Sequence, residues 1–357
     1  MASETTERKR SHITTSLRRD VQAHAGTGFD DVSLVHNALP ELDYEEIDVT
    51  CELFGRKLAA PIIIESMTGG TPIAAKINAT LGKIAEDLQI PMGVGSQRAA
   101  IDDPALAYTF QVARENAPSA LILANLGCPQ IIKDDGIERA KAAVEMIKAD
   151  ALLIHLNALQ ESVQLEGQTR FKGALGRIRE LASTLSVPVL VKETGAGISR
   201  ETGMLVERAG VKGIDIAGLG GTSWAAVEYY RAREKRRTPQ AHLGFTFWDW
   251  GITTAASIVE VATSTKVKII ASGGVRNGLH IAKAVALGAN YGGLAMPLLK
   301  SVSKSSKDAK EGLLSVIDEL RTAMFLTGSK NLDQLRKCPI VITGGTREWL
   351  VARRLLS

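Results

Sequence analysis

Short apolar segments recur along the chain at intervals of roughly 25 to 50 residues, each ending in polar residues or glycines. The segments are "PIIIES" (61–66), "PMGVGS" (91–96), "ALILANLG" (120–127), "ALLIHLN" (151–157), "PVLVKETG" (188–195), "GIDIAG" (213–218), "VKIIASGG" (267–274) and "YGGLAMP" (291–297). They are short, β-rich and apolar on both faces, which is typical of parallel strands covered on both sides. The pattern therefore predicts eight buried parallel strands.

Amphipathic segments separate these strands, with apolar residues at i, i+3 and i+4 spacing. Examples are residues 73–88, 136–149 and 278–288. Strands alternating with helices favour a (β/α)₈ barrel, the TIM-barrel class of α/β fold, over an open doubly wound sheet. Because no linker divides the chain, we expect one domain over residues 1–357.

Two segments fall outside the regular alternation. Residues 1–59 form an N-terminal extension, and residues 222–251 form a long loop after strand six. Loops of that length in compact domains are usually functional or disordered. This loop holds every tryptophan except Trp349, so we expect an ordered cover over the barrel mouth.

Composition narrows the class of protein. A hydrophobic content of 45% with 23% charged residues is ordinary for a globular protein, and the net charge of +4 is mild. The basic stretch "REKRR" (233–237) is therefore interpreted as a solvated loop, not as a nucleic-acid surface. The three cysteines lack the spacing of a disulfide framework or zinc site. With no signal-peptide core and no run of about 18 apolar residues, we expect a cytoplasmic protein without a membrane partner.

Polar residues stand at the C-terminal ends of the predicted strands, where barrels of this class carry their chemistry. They are Ser66, Met67, Thr68, Gly69, Ser96, Gln97, Arg98, Asn125, the set from His155 to Glu161, Lys192, Glu193, Gly220, Gly221, Thr222, Ser272, Gly273, Gly274, Arg276, Ala295 and Met296. One polar strand end is a satisfied surface position. A run of them around the ring indicates a ligand.

The segment "ASGGVRNG" (271–278) places Gly273 and Gly274 just before a predicted helix. Backbone N–H groups of such glycines can approach a phosphate at the positive end of the helix dipole. A tight glycine turn into a helix is the simpler alternative. Since "AMP" (295–297) follows on strand eight, where barrels commonly bind phosphate, we favour a phosphate-bearing cofactor.

Lys192 interrupts an otherwise apolar strand. An unpaired ammonium inside a barrel has a large desolvation cost, so its side chain should face an anion or an electron-rich ring. A salt bridge to a neighbouring carboxylate such as Glu193 is the alternative.

Four polar residues lie close together around the end of strand four. His155 and Asn157 are two residues apart and point to the same side of the strand, into the barrel mouth. Gln160 and Glu161 fall just past the strand end. A single histidine would more often be a satisfied core residue. Together the four indicate a site that orients a small substrate and holds a hard cation through carboxylate oxygen.

The sequence resembles the type 2 isopentenyl-diphosphate isomerases, a family of FMN-dependent barrel enzymes. The resemblance runs from "RKRSHI" (8–13) to the end of strand eight and includes "GFDDVSLVHNALPELDYEEIDV" (28–49). Its most distinctive pieces are "SMTGG" (66–70), "GVGSQR" (93–98), "HLNALQE" (155–161), "GLGGTSW" (218–224) and "SGGVRNG" (272–278). Each alone is weak, but their order and spacing are specific.

The resemblance implies a role for each residue. FMN would contact Met67, Thr68, Gly69, Ser96, Asn125, Lys192 and Thr222, with its phosphate at Gly273, Gly274, Arg276, Ala295 and Met296. The substrate diphosphate would be bound by Arg8, Lys9, His12, Ser96, Gln97 and Arg98. Gln160, His155, Asn157 and Lys192 would form the catalytic group, with Gln160 also touching the substrate, and Glu161 would hold Mg²⁺. Trp224 and Glu228 are weaker candidates on the covering loop.

The implied reaction moves the double bond of isopentenyl diphosphate to give dimethylallyl diphosphate. Reduced FMN is required although no net redox change occurs, and NAD(P)H or another reductant would supply the electrons. We expect a homo-oligomer, a tetramer or octamer.

Three alternatives stay open on the sequence. An FMN-dependent 2-hydroxy-acid oxidoreductase would need a histidine followed closely by glycine and arginine near strand seven, and only His242 lies near, without that arginine. A non-catalytic phosphate- or nucleotide-binding barrel would explain the glycine turn but not the polar set around strand four. A phosphate-binding isomerase or synthase without flavin is the third.

Overall fold

The computed structural model describes residues 4–356, with side chains from residue 7 onward. Eight parallel strands close into a barrel, which confirms the predicted (β/α)₈ fold. In chain order they are Ile62–Ile64, Met92–Gly93, Ile122–Gly127, Ala151–His155, Val189–Lys192, Gly213–Asp215, Lys268–Ala271 and Tyr291–Leu294. Each strand pairs with the next along the chain, and the last pairs with the first.

Helices cover the outside of the barrel and its C-terminal end. Their bounds are Glu4–Arg18, Pro72–Leu88, Arg98–Asp102, Tyr108–Asn116, Cys128–Ile131, Gly136–Met146, Ala158–Val163, Ala174–Thr184, Arg200–Arg208, Trp224–Glu234, Thr238–Thr246, Thr254–Ala262, Gly278–Ala286, Met296–Val302, Ser306–Leu326, Leu332–Leu335 and Gly344–Ala352. Short 3₁₀ turns occupy Phe29–Asp31, Tyr44–Glu46 and Pro104–Leu106.

The first helix after a barrel strand shows how sequence sets these bounds. The Thr71 hydroxyl accepts a hydrogen bond from the Ala74 N–H at 3.2 Å, and Pro72 occupies the first helical position. Both features favour a helix start, because they satisfy or remove N–H groups that have no partner inside the helix. The helix then buries Leu81 and Ile84 in the core between helices and strands.

The N-terminal end of the barrel is closed by a hairpin. The antiparallel strands Cys51–Leu53 and Arg56–Leu58 bring Leu53 and Leu58 into one apolar cluster with the inward-facing Ile63 of the barrel. Burial of these side chains stabilises the closed bottom. The barrel is therefore accessible from its other end, where the strands terminate.

The N-terminal extension is ordered and joins both ends of the chain to the barrel. Its strand Val32–Leu34 pairs antiparallel with Ile340–Ile342 near the C-terminus. The segment around Val21 lies along the loop after strand six, with the Ala23 N–H donating to the Gly221 carbonyl at 2.8 Å and the Ser223 N–H donating to the Val21 carbonyl at 2.8 Å. Both contacts place the helix Glu4–Arg18 next to the barrel mouth.

The segment predicted to form an ordered cover after strand six is ordered, and most of it is helical. It contains the helices Trp224–Glu234 and Thr238–Thr246. Ser223 begins the first of them by accepting a hydrogen bond from the Ala226 N–H at 3.1 Å, and a proline lies in the first turn of the second. Both helix starts lie within residues 222–251. We refer to the helices Trp224–Glu234 and Thr238–Thr246 as the lid.

Among the described residues, no helix is both long enough and apolar enough to cross a bilayer.

Candidate active site

The strand ends open into one cavity at the barrel mouth, beneath the N-terminal helix and the lid. Almost all of the predicted site residues line it, although they come from every part of the barrel: Arg8, Lys9, His12, Met67, Thr68, Gly69, Ser96, Arg98, Asn125, His155, Asn157, Gln160, Glu161, Lys192, Thr222, Trp224, Gly273, Gly274, Arg276, Ala295 and Met296. The structure therefore brings together residues that the sequence could only place at separate strand ends.

Gln97 and Glu228 are the exceptions, and the predicted contact of Gln97 with substrate is not supported. The Gln97 side chain is buried beside the cavity wall, where Nε2 donates to the Ala143 carbonyl at 2.8 Å and Oε1 accepts from the Asn125 N–H at 3.0 Å. Ser96 and Arg98 on either side do line the cavity. Gln97 thus anchors the loop that presents its two neighbours.

The glycine turn after strand seven forms a cradle of backbone donors. Gly273 and Gly274 have φ of 91° and 83°, a region that favours glycine. A Cβ on Gly274 would lie 2.4 Å from the Gly220 carbonyl oxygen. Within the described residues, the N–H groups of Gly274, Val275 and Arg276 donate to no backbone carbonyl. Unpaired donors of this kind fit an anion better than a turn that only starts a helix.

Arg276 adds a positive charge at this turn. Its Nη1 donates to the Val275 carbonyl at 3.2 Å, and burial, not a neighbouring charge, lowers the pKa of its guanidinium. Such a cation, half-buried and held against a carbonyl oxygen, is available to a phosphate. The cradle and Arg276 together form the first candidate anion site of the cavity.

Lys192 is paired with two carboxylates that were not among the predicted site residues. Its Nζ donates to Asp215 at 2.7 Å and to Glu65 at 2.8 Å. Burial by itself would lower the pKa of Lys192, but the two carboxylates outweigh it and raise that pKa. Lys192 therefore faces anions, as predicted, in the form of a salt bridge to carboxylates, but the partners are Glu65 and Asp215 and not Glu193.

Glu65 carries the opposite perturbation. Burial first, and then the negative charge of Asp215, raise the pKa of its carboxyl to about 7, although Lys192 acts in the other direction. One lysine faces two acids, so with a proton on Glu65 the net charge of the three groups is zero. Gly293 makes room for this carboxyl, since a Cβ there would lie 2.1 Å from Glu65 Oε1.

Glu193 has a different role. Its Oε2 accepts hydrogen bonds from the N–H groups of Thr194, Gly195 and Ala196 at 2.5–2.7 Å, which shapes the loop after strand five. Burial raises the pKa of Glu193 to about 7 despite these bonds. Glu65 and Asp215 carry the same sequence signal as Lys192, a charged residue in or next to an apolar strand, which marks them as candidates but does not identify them as partners of Lys192.

His155 is held neutral. Its Nδ1 lies 2.7 Å from the Oδ1 of Asn125, which can only accept, so Nδ1 carries the hydrogen and Nε2 is left as an acceptor. Burial, followed by the positive charges of Lys192 and Lys9, lowers the pKa of His155 to about 3. The imidazole therefore fixes the orientation of Asn125 and offers an unprotonated nitrogen.

Glu161 is clamped at both oxygens. Its Oε1 accepts from Asn157 Nδ2 at 3.0 Å, and its Oε2 accepts from the Gln168 N–H at 2.5 Å. Asn157 also lies 3.4 Å from the Oε1 of Gln160, while its own Oδ1 is buried without a partner. A fixed carboxylate beside an unpaired amide oxygen is a donor set that suits a hard cation.

A cluster of cations forms a second candidate anion site. Lys9 donates to the Ser96 carbonyl at 2.6 Å, and burial, with the charges of Arg8 and Arg98, lowers the pKa of Lys9 to about 7. The pKa of Arg8 is lowered as well, by burial and then by Arg98. Mutually repelling cations that are partly desolvated favour a bound anion, which would restore their charged forms.

His12 and Trp224 form the contact between the N-terminal helix and the lid. Their rings meet edge to face with centroids 5.1 Å apart, and His12 Nε2 lies 2.8 Å from Glu228 Oε1. Glu228 is fully buried and does not line the cavity, and its contact with a cavity residue is the one to His12.

The fold is shared with flavin enzymes. The family model of the FMN-dependent dehydrogenases matches residues 137–341. A solved flavocytochrome b2 variant with sulfite bound superposes with a TM-score of 0.68 at 18% identity, covering 91% of this chain and 81% of that chain. Identity at this level establishes a common barrel and nothing about substrate.

Curated relatives are much closer in sequence. The isopentenyl-diphosphate delta-isomerase of Thermococcus onnurineus (strain NA1) is 49% identical, covering 97% of this chain and 94% of the relative. The enzyme of the same name from Thermococcus kodakarensis (strain ATCC BAA-918 / JCM 12380 / KOD1) is also 49% identical, with the same two coverages. The chain therefore belongs to the FMN-dependent, type 2 isopentenyl-diphosphate delta-isomerases.

Proposed function

We propose that the protein interconverts isopentenyl diphosphate and dimethylallyl diphosphate with FMN and the substrate bound side by side in the barrel mouth. The observation that carries the proposal is the pair of anion sites in one cavity. The glycine cradle with Arg276 suits the single phosphate of FMN, and the cluster of Arg8, Lys9 and Arg98 suits a diphosphate.

The residues present fit the cofactor. The unpaired N–H donors of the cradle suit its phosphate, and the Lys192 ammonium at the cavity floor suits the polar edge of a flavin ring. The remaining contacts would come from Met67, Thr68, Gly69, Ser96, Asn125, Thr222, Gly273, Ala295 and Met296. When bound and reduced, FMN supplies an electron-rich ring whose N5 can carry a proton next to a cationic transition state.

The diphosphate would be bound by basic side chains, and its negative charge favours their protonated forms. Arg8 and Lys9 reach the cavity from the N-terminal helix, and Arg98 reaches it from the loop after strand two. A bound diphosphate raises the pKa of Lys9 from about 7, so the ammonium stays charged and donates to phosphate oxygen. His12 and Ser96 complete this end of the site.

Mg²⁺ would bind between Glu161 and the diphosphate. Among the described residues there is no group of three or more His, Cys, Asp or Glu that could hold a metal without help. Mg²⁺ usually takes only one or two carboxylates and completes its octahedron with water and substrate phosphate oxygens. Glu161 and the unpaired Asn157 Oδ1 fit that pattern.

Gln160 and His155 orient the substrate. An amide is a poor general acid or base, so Gln160 positions the hydrocarbon or relays a proton and does not originate it. His155, with a pKa of about 3, is neutral near pH 7 and accepts at Nε2. Both residues thereby keep a charge-free wall beside the reacting carbons.

The decisive experiment combines an absorption spectrum with an isomerisation assay on one sample. The purified protein should be yellow with the bands of bound flavin, and it should convert isopentenyl diphosphate only after reduction and with Mg²⁺ present. A colourless active protein would contradict the role of FMN. Flavin reduction by a 2-hydroxy acid would favour the oxidoreductase, which the exposed position of His242, outside the cavity, does not favour.

Glu161→Gln tests the metal site while keeping the side-chain shape. We expect the Mg²⁺ concentration for half-maximal activity to rise by roughly 10- to 100-fold, because the charge is lost and the amide must give up one clamping contact. The measurement is activity against Mg²⁺ at saturating isopentenyl diphosphate. Glu180→Gln, at an exposed surface pair with Arg177, is the control. An unchanged Mg²⁺ curve would place the metal elsewhere.

Three further features belong to the same proposal. NADH or NADPH supplies the electrons, which an anaerobic titration of the flavin spectrum with each would test. The protein assembles as a tetramer or octamer, which sedimentation would test. Its place of action is the cytoplasm.

A further inference from the structure

Arg231 is among the largest fully buried side chains of the protein, and nothing in the reaction uses it directly. It lies on the lid helix Trp224–Glu234, with its side chain 1% exposed, and does not line the cavity. Its Nη1 donates to Glu228 Oε2, and its Nη2 donates to both oxygens of Glu166 at 3.1 and 3.2 Å. A buried guanidinium that donates to two separate carboxylates fixes the position of one relative to the other.

On one side the contacts lead to the N-terminal helix. Glu228 uses its other oxygen, Oε1, to accept from His12 Nε2 at 2.8 Å. His12 follows Arg8 and Lys9 on the same helix, one turn further on. The orientation of Glu228 therefore fixes the helix that presents both cations to the diphosphate.

On the other side the contacts lead to the candidate metal ligand. Glu166 belongs to the segment 164–173, which follows the helix Ala158–Val163. Two residues after Glu166, the Gln168 N–H donates to Glu161 Oε2 at 2.5 Å. Gly167 allows this turn to fold back, since a Cβ there would lie 1.8 Å from the Glu161 carbonyl oxygen. Holding Glu166 therefore holds the clamp on Glu161.

We propose that Arg231 is a positioning residue that couples closure of the N-terminal helix over the diphosphate to the loop that clamps Glu161. The chain of contacts runs from His12 through Glu228, Arg231 and Glu166 to Gln168 and Glu161. Arg231 is its only buried cation among the described residues, since Lys235, which also reaches Glu166 at 3.1 Å, is exposed. Coupling of this kind is reciprocal, so Mg²⁺ at Glu161 strengthens closure of the helix and closure strengthens Mg²⁺ binding.

The inference rests on the proposed roles of the N-terminal helix and Glu161, and limited proteolysis separates it from them. Arg8, Lys9 and Arg10 are trypsin sites, and intact-mass analysis reports cleavage there. FMN-loaded protein is treated with inorganic diphosphate while Mg²⁺ is varied. In the wild-type protein, Mg²⁺ should slow cleavage at these sites. In Arg231→Met, the Mg²⁺ concentration for half-protection should rise at least about fivefold.

Arg233→Met is the matched control, because Arg233 lies on the same helix, is exposed, and within the described part of the chain its guanidinium has a hydrogen-bond and cation–π partner only in Tyr229. It should reproduce the wild-type curve. In turnover assays, Arg231→Met should raise both KM and the Mg²⁺ requirement while the FMN dissociation constant stays unchanged. A purely structural role would instead lower FMN occupancy and kcat as well, and that result would overturn the proposal.

Should Arg231→Met fail to fold, Glu166→Gln carries the same expectation, because it keeps Arg231 and Glu228 together and weakens only the loop contact. Wild-type protection by Mg²⁺ in Arg231→Met, or in Glu166→Gln if that variant must be used, would reject the coupling alone. Absence of protection in the wild-type protein would contradict the role of the N-terminal helix and, with it, this inference.

Discussion

Replacing Lys192 with methionine should lower the free energy of unfolding by about 3–5 kcal/mol at pH 8, the largest stability effect we expect from a single substitution. The variant keeps the length of the side chain but leaves Glu65 and Asp215 facing each other in the barrel interior. Removing one partner of a buried ion pair is costly because the remaining charges lose both water and counter-ion. Denaturant unfolding, with and without FMN, measures the effect.

The loss should shrink as the pH falls. Glu65 has a pKa of about 7 even with Lys192 beside it, so in the variant its carboxyl is expected to take up a proton below pH 7. A carboxyl with a raised native pKa is favoured in its protonated form, and the stability that this form contributes is lost as pH rises through that pKa. The free energy of unfolding of the variant should therefore approach the wild-type value as the pH falls from 8 to 5.

The control is Lys268→Met, a lysine on barrel strand seven whose side chain is exposed. This substitution should change the free energy of unfolding little at pH 8 or at pH 5. Equal destabilisation of Lys192→Met at pH 5 and pH 8 would show that packing, and not charge, carries the effect. Because Lys192 also faces the cavity, FMN affinity should fall in that variant and stay unchanged in the control.

Deleting residues 1–12 should lower kcat/KM for isopentenyl diphosphate by about 2–4 kcal/mol, roughly 30- to 1000-fold, while FMN stays bound. The deletion removes Arg8, Lys9 and His12, which line the cavity, but leaves the barrel and the glycine cradle intact. The charge-assisted hydrogen bonds to the diphosphate and the exclusion of water from the cationic transition state are both lost. Initial rates over a range of isopentenyl diphosphate concentrations measure the change in kcat/KM.

A shorter deletion of residues 1–6 is the matched control, since it keeps all three side chains and should retain most activity. Thermal unfolding of both proteins tests whether the barrel survives. Wild-type kcat/KM after removal of residues 1–12 would show that the helix only covers the site.

The barrel and most of its mouth could be predicted because each strand carries its own signal. A short apolar run ending in polar residues identifies a strand end, and the fold places all such ends in one ring. His155, Asn157 and Glu161 were found in this way and do lie together. The N-terminal helix could be assigned only by resemblance, since its composition is that of a tail.

What the sequence could not supply were partners across the barrel. Lys192 pairs with Glu65, 127 positions away, and no local pattern ranks that carboxylate above the adjacent Glu193. Gln97 was misplaced for a related reason, because alternation along a loop does not say which side chain turns toward Ala143. The ordered cover after strand six was predicted from its length and tryptophans, but its two helices were not, because the spacing of apolar residues in residues 222–251 was not considered.

The N-terminal helix is tethered directly at its base. Trp248 Nε1 donates to the Gln22 carbonyl at 2.9 Å, and Val21 packs beside Val227 on the lid. Arg8 and Lys9 are thus joined to the rest of the protein through a short segment. A group on a short tether has an effective concentration in the millimolar range at its binding site. Closure over each new substrate is then an intramolecular event that does not slow as the enzyme is diluted. A free peptide of the same sequence would need a comparable millimolar concentration to occupy the mouth as often.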